Sequence, residues 1–161
     1  MWHTVLIVVH AATATVALLA GLVSLPAGRL FGLYRWSLIG MLVALAPAVA
    51  IGWANQPDGT RIAYTGLLVL AVVMVVMAER ARRDRPTTTV GGPTVRYLDR
   101  VGFTLIALSD GFAIVAAIRA GLPGWAVAVI GVGVVVVGHT ALQVAKRRMV
   151  RPPAAVRAGS V

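Results

Sequence analysis

Apolar residues in this chain do not alternate with polar ones. They run on in long blocks, and the polar positions gather at the seams between blocks. A run of about 18 or more apolar residues is what a helix needs to cross roughly 30 Å of hydrocarbon. Five blocks reach that length within a few residues at each boundary: Thr4 to Leu25, Trp36 to Ala54, Ile62 to Ala78, Val101 to Ile118, and Trp125 to Ala145. Continuous runs predict helices; the strands of a membrane barrel would alternate between lipid and lumen. The expected fold class is all-α, a polytopic transmembrane helix bundle with five membrane-spanning helices in a single domain over residues 1–147.

The seams carry turn chemistry. Pro57, Asp58 and Gly59 predict a tight turn between the second and third segments, and "AGLPG" does the same between the fourth and fifth. The longest seam, 79–100, holds Pro86, Gly91, Gly92, Pro93 and a threonine run, and reads as a flexible connector. Residues 148–161 read as a disordered basic tail.

Composition strengthens the membrane reading. The 161 residues are 59% hydrophobic and 12% charged, where soluble domains carry about a quarter charged residues. There is no cysteine, which removes disulfides, thiolate metal sites and thiol nucleophiles. The first segment lacks a basic leader and is longer than the apolar core of a signal peptide, so it is expected to be a retained helix.

A net charge of +10 suggests nucleic acid until the basic residues are placed along the five segments. Thirteen fall on one side: Arg29, Arg35, Arg80, Arg82, Arg83, Arg85, Arg96, Arg100, Lys146, Arg147, Arg148, Arg151 and Arg157. Two, Arg61 and Arg119, fall on the other. This is the positive-inside bias, and it predicts an outside N-terminus, a cytoplasmic C-terminus and no nucleic-acid partner. Arg80, Arg82, Arg83, Arg85, Lys146, Arg147 and Arg148 are the expected contacts to anionic headgroups.

Helices in lipid approach one another through small residues four apart. The second segment has Gly40, Ala44, Ala48 and Gly52; the first, Thr13, Ala17 and Gly21; the fourth, Ser109, Ala113, Ala117 and Gly121; the fifth, Gly124, Ala128, Gly131 and Gly138. These four are expected to form the bundle. The third, "LLVLAVVMVVMA", is bulky nearly all round and is expected to face lipid or a partner protein.

Four positions break the apolar pattern at depth: His10, Pro47, Asp110 and His139. A charge at mid-bilayer is unfavourable by about 2.5–3.5 kcal/mol on insertion scales, which makes such a residue a functional candidate. Counted from the inner boundaries, Asp110 lies roughly 13 Å and His139 roughly 10 Å into the membrane. Pro47 has no amide hydrogen for the Val43 carbonyl and frees an acceptor at a similar depth. Asp110, His139, Pro47 and Val43 are therefore expected to form an intramembrane polar cluster, with His10 a second polar site nearer the outer face. The alternative role for Asp110 is packing glue, a neutral acid hydrogen-bonded to a backbone carbonyl or to His139.

No catalytic constellation, metal-ligand spacing or phosphate-binding glycine loop is present; "GVGVVVVG" lies inside an apolar helix. No cofactor is predicted. Haem held by His10 or His139 is the cofactor alternative; the two are expected to be offset too far in depth to pair on one haem, which leaves single-histidine ligation or a pair completed across an oligomer.

"HAATATVALLAGLVSL", followed by "GRLFGLYRW" and "LAPAV", resembles the opening of a bacterial multi-helix membrane family known as a domain of unknown function. In that family a His-led first helix precedes a loop of the form HR-x-x-G-x-x-Y. Arg29, Gly32 and Tyr34 echo the loop, Gly28 stands where its histidine would be, and "RYLDRVGF" resembles the entry into the later helices. The resemblance implies a multi-pass protein of the bacterial inner membrane and implies no activity.

The function expected first is that of a non-enzymatic accessory or interaction subunit in a larger membrane assembly, with a protein partner or as a homo-oligomer. Two alternatives stand beside it: a haem- or quinone-associated redox component, and a small oligomeric proton-coupled carrier in which Asp110 titrates.

Overall fold

The computed structural model of the chain describes residues 2–53, 58–86 and 92–150, apart from the side chains at 3, 52, 59, 60 and 63. It is all-helical, with α1 at Trp2–Ala27, α2 at Phe31–Gly52, α3 at Asp58–Arg83, α4 at Val95–Arg119 and α5 at Gly124–Met149. Each is long and apolar enough to cross a membrane.

The helices run further toward their basic ends than hydropathy alone predicts. α1 stops at Gly28, which takes a left-handed φ of +65° while its N–H still bonds the Ser24 carbonyl at 2.8 Å. Leu30 is also left-handed, at φ 58°, so the chain reverses within residues 28–30 and α2 begins at Phe31 instead of Trp36. Phe31, Tyr34, Leu38 and Met41 recur at helical spacing and are all buried, which continues the helical stripe past the charges at Arg29 and Arg35.

At α4 the helix is started by Thr94, whose hydroxyl accepts the Tyr97 N–H at 3.2 Å. The expected connector 79–100 is thereby reduced to residues 84–94, of which 87–91 lie outside the described residues. At the C-terminus, 148 and 149 belong to α5, Val150 caps it, and the remainder of the expected tail, 151–161, also lies outside the described residues. So does Pro57 of the expected turn.

α1 packs chiefly on α2, α2 on α3, α3 on α4, and α4 back on α1, closing a ring. α5 is attached by its seam with α4. The expected roles of α3 and α5 are therefore exchanged. In α3, Ala71, Met74, Ala78 and Ala81 form a buried stripe, and Ala78 and Ala81 are fully covered. That ladder continues beyond the apolar run into "ERAR", so a reading that stopped at Ala78 lost half of it. In α5 the one buried residue is Gly131. Two of its glycines serve the seam with α4: a methyl group at Gly138 would stand 2.7 Å from Ile106 Cγ1, and one at Gly131 would stand 3.3 Å from Asp110 Oδ1.

The largest fully buried side chains are Tyr34, Tyr97, Phe31, Leu38, Leu98, Val101, Thr104 and Ser24. All belong to the half of the bundle that ends in the arginine-rich segments. Four ion pairs close that end: Arg35 and Arg82 with Glu79 at 2.6 and 2.8 Å, Arg100 with Asp84, and Lys146 with Asp99.

Candidate functional site

Polar groups among apolar helices must find partners in the protein, because lipid supplies none. Two tyrosines at the arginine-rich end do so fully. The Tyr97 hydroxyl donates to the Ser24 carbonyl at 2.8 Å, and the Tyr34 hydroxyl pairs with Thr104 Oγ1. Thr104 also donates to the Val101 carbonyl at 2.8 Å, which leaves it as the acceptor for Tyr34. These bonds tie α1 to α4 and α2 to α4. Hydropathy gives no sign of them, since a tyrosine near a helix end reads equally well as an interfacial anchor.

The expected cluster of Asp110, His139, Pro47 and Val43 is not drawn together. The register of α4 against α5 shows why. Lys146 pairs with Asp99, Leu142 lies against Gly102, and Ile106 lies against Gly138. From the line joining 99 and 146, Asp110 is roughly 16 Å up the bundle and His139 roughly 10 Å. The sequence count started α4 at Val101 and so set Asp110 too low. Asp110 Oδ1 instead faces Gly131, and it is buried without a hydrogen-bond partner among the described residues.

His139 is exposed on α5, and its Nε2 lies 3.1 Å from Gln143 Nε2, one turn along the same helix. The two side chains can share one hydrogen bond, its direction set by the imidazole tautomer. Gln143 was not singled out from the sequence, although its spacing of four from His139 on a helix was the available signal. Val43 is 65% exposed, and Pro47 is exposed as well. α2 runs on through Pro47 to Gly52.

His10 is the residue that reaches the proline-bearing helix. Its half-buried ring donates from Nδ1 to the Met41 carbonyl at 3.2 Å, six residues before Pro47. The earlier start of α2 makes this legible in retrospect. With the reversal at residues 28–30, position 10 of α1 comes opposite the forties of α2. Next to it, Thr13 donates to the Val9 and His10 carbonyls and packs its methyl group over Gly40.

Gly21 lies against Leu105 and is thus nearly level with His139, whose neighbour Gly138 meets Ile106. His10 stands eleven residues beyond Gly21, roughly 16 Å higher. The two imidazoles of one chain therefore do not match in depth as an axial pair on one haem. Among the described residues, no group of three or more His, Cys, Asp or Glu side chains could hold a metal ion.

The basic residues divide into two kinds. Arg82 and Lys146 are held by Glu79 and Asp99, and Arg85 lies over the Phe31 ring, 5.9 Å from its centroid. Arg80, Arg83, Arg147 and Arg148 enter none of the ion pairs of the described residues. Of the seven expected headgroup contacts, these four keep their charge uncommitted.

Comparison with family models, with curated proteins and with solved structures finds no match to this chain.

Proposed function

We propose that this chain is a multi-pass protein of a bacterial inner membrane, with the arginine-rich end in the cytoplasm, and that it works as a non-enzymatic interaction subunit whose partner helix docks on α5. The observation that carries the reading is the exposed His139 with its neighbour Gln143. On a helix that touches the bundle along one seam, they present two polar side chains outward, roughly 10 Å inside the level of Lys146. Polar side chains facing hydrocarbon are unfavourable, whereas across a helix pair they hydrogen-bond. Val129, Val132 and Val136 continue the same flank and are all exposed. That gives a partner helix an apolar strip with a polar lock at its basic end.

The test is co-purification from membranes in mild detergent. Wild-type chain is expected to migrate above its monomer mass, with a partner or a second copy, and His139→Leu to return it to the monomer. A wild-type chain that is monomeric and alone contradicts the reading.

One observation favours a second reading. Asp110 Oδ1, buried and unpartnered, is a site that could carry a proton through a transport cycle, as an oligomeric proton-coupled carrier requires. Uptake of solute into vesicles would then lose its pH dependence in Asp110→Asn. Unchanged pH dependence removes the carrier reading. The haem alternative is left with a single-histidine site or a pair completed across an oligomer, and an absorption spectrum without a Soret band would rule out both.

A further inference from the structure

On the flank of α5 away from His139, the helix stands off from α1 and leaves a cleft of about 660 Å³. Leu22 and Leu25 of α1 form one wall, Leu105 and Ile106 of α4 the floor, and α5 the other wall. Ser109 is the one polar residue in the lining. Gly133 keeps the α5 wall open, since nothing stands within 4 Å of where a side chain would begin. Along α5 the cleft extends from Ile130 to Ala145, roughly 22 Å by helix rise. One leaflet of a bilayer offers about 15 Å of hydrocarbon, so a lipid chain fits the cleft lengthwise.

A second, shallower groove of about 610 Å³ runs beside the first. The two share Val137, Ala141 and Ala145 as a common ridge, and the second groove ends at Arg148. Arg148 is among the arginines with no ion pair, whereas Lys146 close by is neutralised by Asp99. Two parallel apolar grooves with one uncommitted cation at their shared basic end match an anionic lipid with two chains. They match a partner helix poorly, because a helix would fill one groove and leave the cation without a counter-charge.

We propose that an anionic diacyl phospholipid binds astride this ridge of α5, one chain in the cleft against α1, the other along the outer groove, and its phosphate on Arg148. The lipid holds α5 against the ring of the other four helices from the side that α4 does not cover. Of the preceding reading it uses only the placement of the helices in a bilayer; the outer groove reaches the edge of the His139 flank at Val136, while His139, Gln143, Val132 and Val129 lie outside both grooves.

The experiment is native mass spectrometry of the full chain, delipidated in mild detergent and titrated with dioleoyl phosphatidylglycerol or with dioleoyl phosphatidylcholine. The expected result is one phosphatidylglycerol retained per chain at concentrations where phosphatidylcholine is not retained. Arg148→Ala is expected to weaken phosphatidylglycerol binding about fivefold and to narrow the gap between the two lipids. Gly133→Phe, which fills the cleft, is expected to weaken it about tenfold or more. If that variant does not fold, Ala141→Phe on the exposed ridge makes the same test. Equal retention of both lipids by the wild type, unchanged retention in a folded cleft-filling variant, or a lipid-free dimer sealed through the cleft would each overturn the proposal.

Discussion

The two ends of the bundle are built on different terms. At the arginine-rich end, large side chains are fully enclosed, both tyrosine hydroxyls have partners, and three bases and three acids that could have faced lipid headgroups are spent on pairing with one another across the bundle. Toward the other end the buried residues are alanines such as Ala14, Ala48 and Ala117 with a few larger ones, Met41, Val49 and Leu108, and the one ion pair among the described residues there is Arg61 with Asp58 at 3.3 Å, within α3. Asp110 and His10 both lie on the open side of Thr104. The contrast teaches where rigidity is needed and where room is left. A bundle fastened at one end can let helices separate at the other without losing its topology.

Matched substitutions at the two ends should expose the difference. The largest effect is expected from Gly138→Leu, whose first carbon already meets the stiff Ile106 at 2.7 Å. Overpacking of that kind destabilises by about 1–3 kcal/mol. Gly111→Leu, toward the open end with nothing within 4 Å, is expected to change stability by about 0.5 kcal/mol or less. Unfolding of both variants in one detergent, followed by far-UV circular dichroism, gives the comparison. Equal losses would erase it.

Gly28→Ala comes next. A side chain at φ +65° is strained by roughly 1–2 kcal/mol, and here it would also stand 3.3 Å from the Pro86 carbonyl. The same unfolding assay should show the loss, and a thermal midpoint identical to wild type would mean that the 28–30 reversal does not hold α1 to α2.

Tyr97→Phe removes one buried hydrogen bond, worth about 0.5–1.5 kcal/mol. The loss should fall at the lower end of that range, because the Ser24 carbonyl keeps its bond from the Gly28 N–H. A loss above the range would show that the hydroxyl does more than pair with Ser24. The smallest effect is expected from Arg82→Ala. This pair lies within one turn of α3 on exposed side chains, and Glu79 retains Arg35, so no measurable change in stability is expected.

Much of the architecture was legible in the chain, because five uninterrupted apolar blocks admit few folds other than five helices. What hydropathy could not locate was the helix ends. A window that averages polarity stops at Arg35 or Glu79, while the chain continues helically wherever the stripe Phe31, Tyr34, Leu38, Met41 or the stripe Ala71, Met74, Ala78, Ala81 persists. The misplaced ends then shifted the site. Five residues at the start of α2 hid the meeting of His10 with Met41, and counting from Val101 instead of Asp99, the residue level with Lys146, brought Asp110 down toward the level of His139. Rotation about the helix axis was not legible at all. Whether His139 faces Asp110 or faces outward depends on which small residues the α4–α5 seam uses, and Gly131 and Gly138 decide that only once Asp110 and Ile106 are packed against them.

The central claim is that the His139 flank of α5 meets a partner helix, and the absence of cysteine gives it a clean test, since any introduced thiol is unique. A thiol-anchored photo-crosslinker at Val132→Cys, on the His139 flank and outside both grooves, should yield a discrete protein adduct in native membranes. The same label at Val43→Cys, on the equally exposed outer side of α2, should yield none. Lipid adducts alone at both positions would contradict the account.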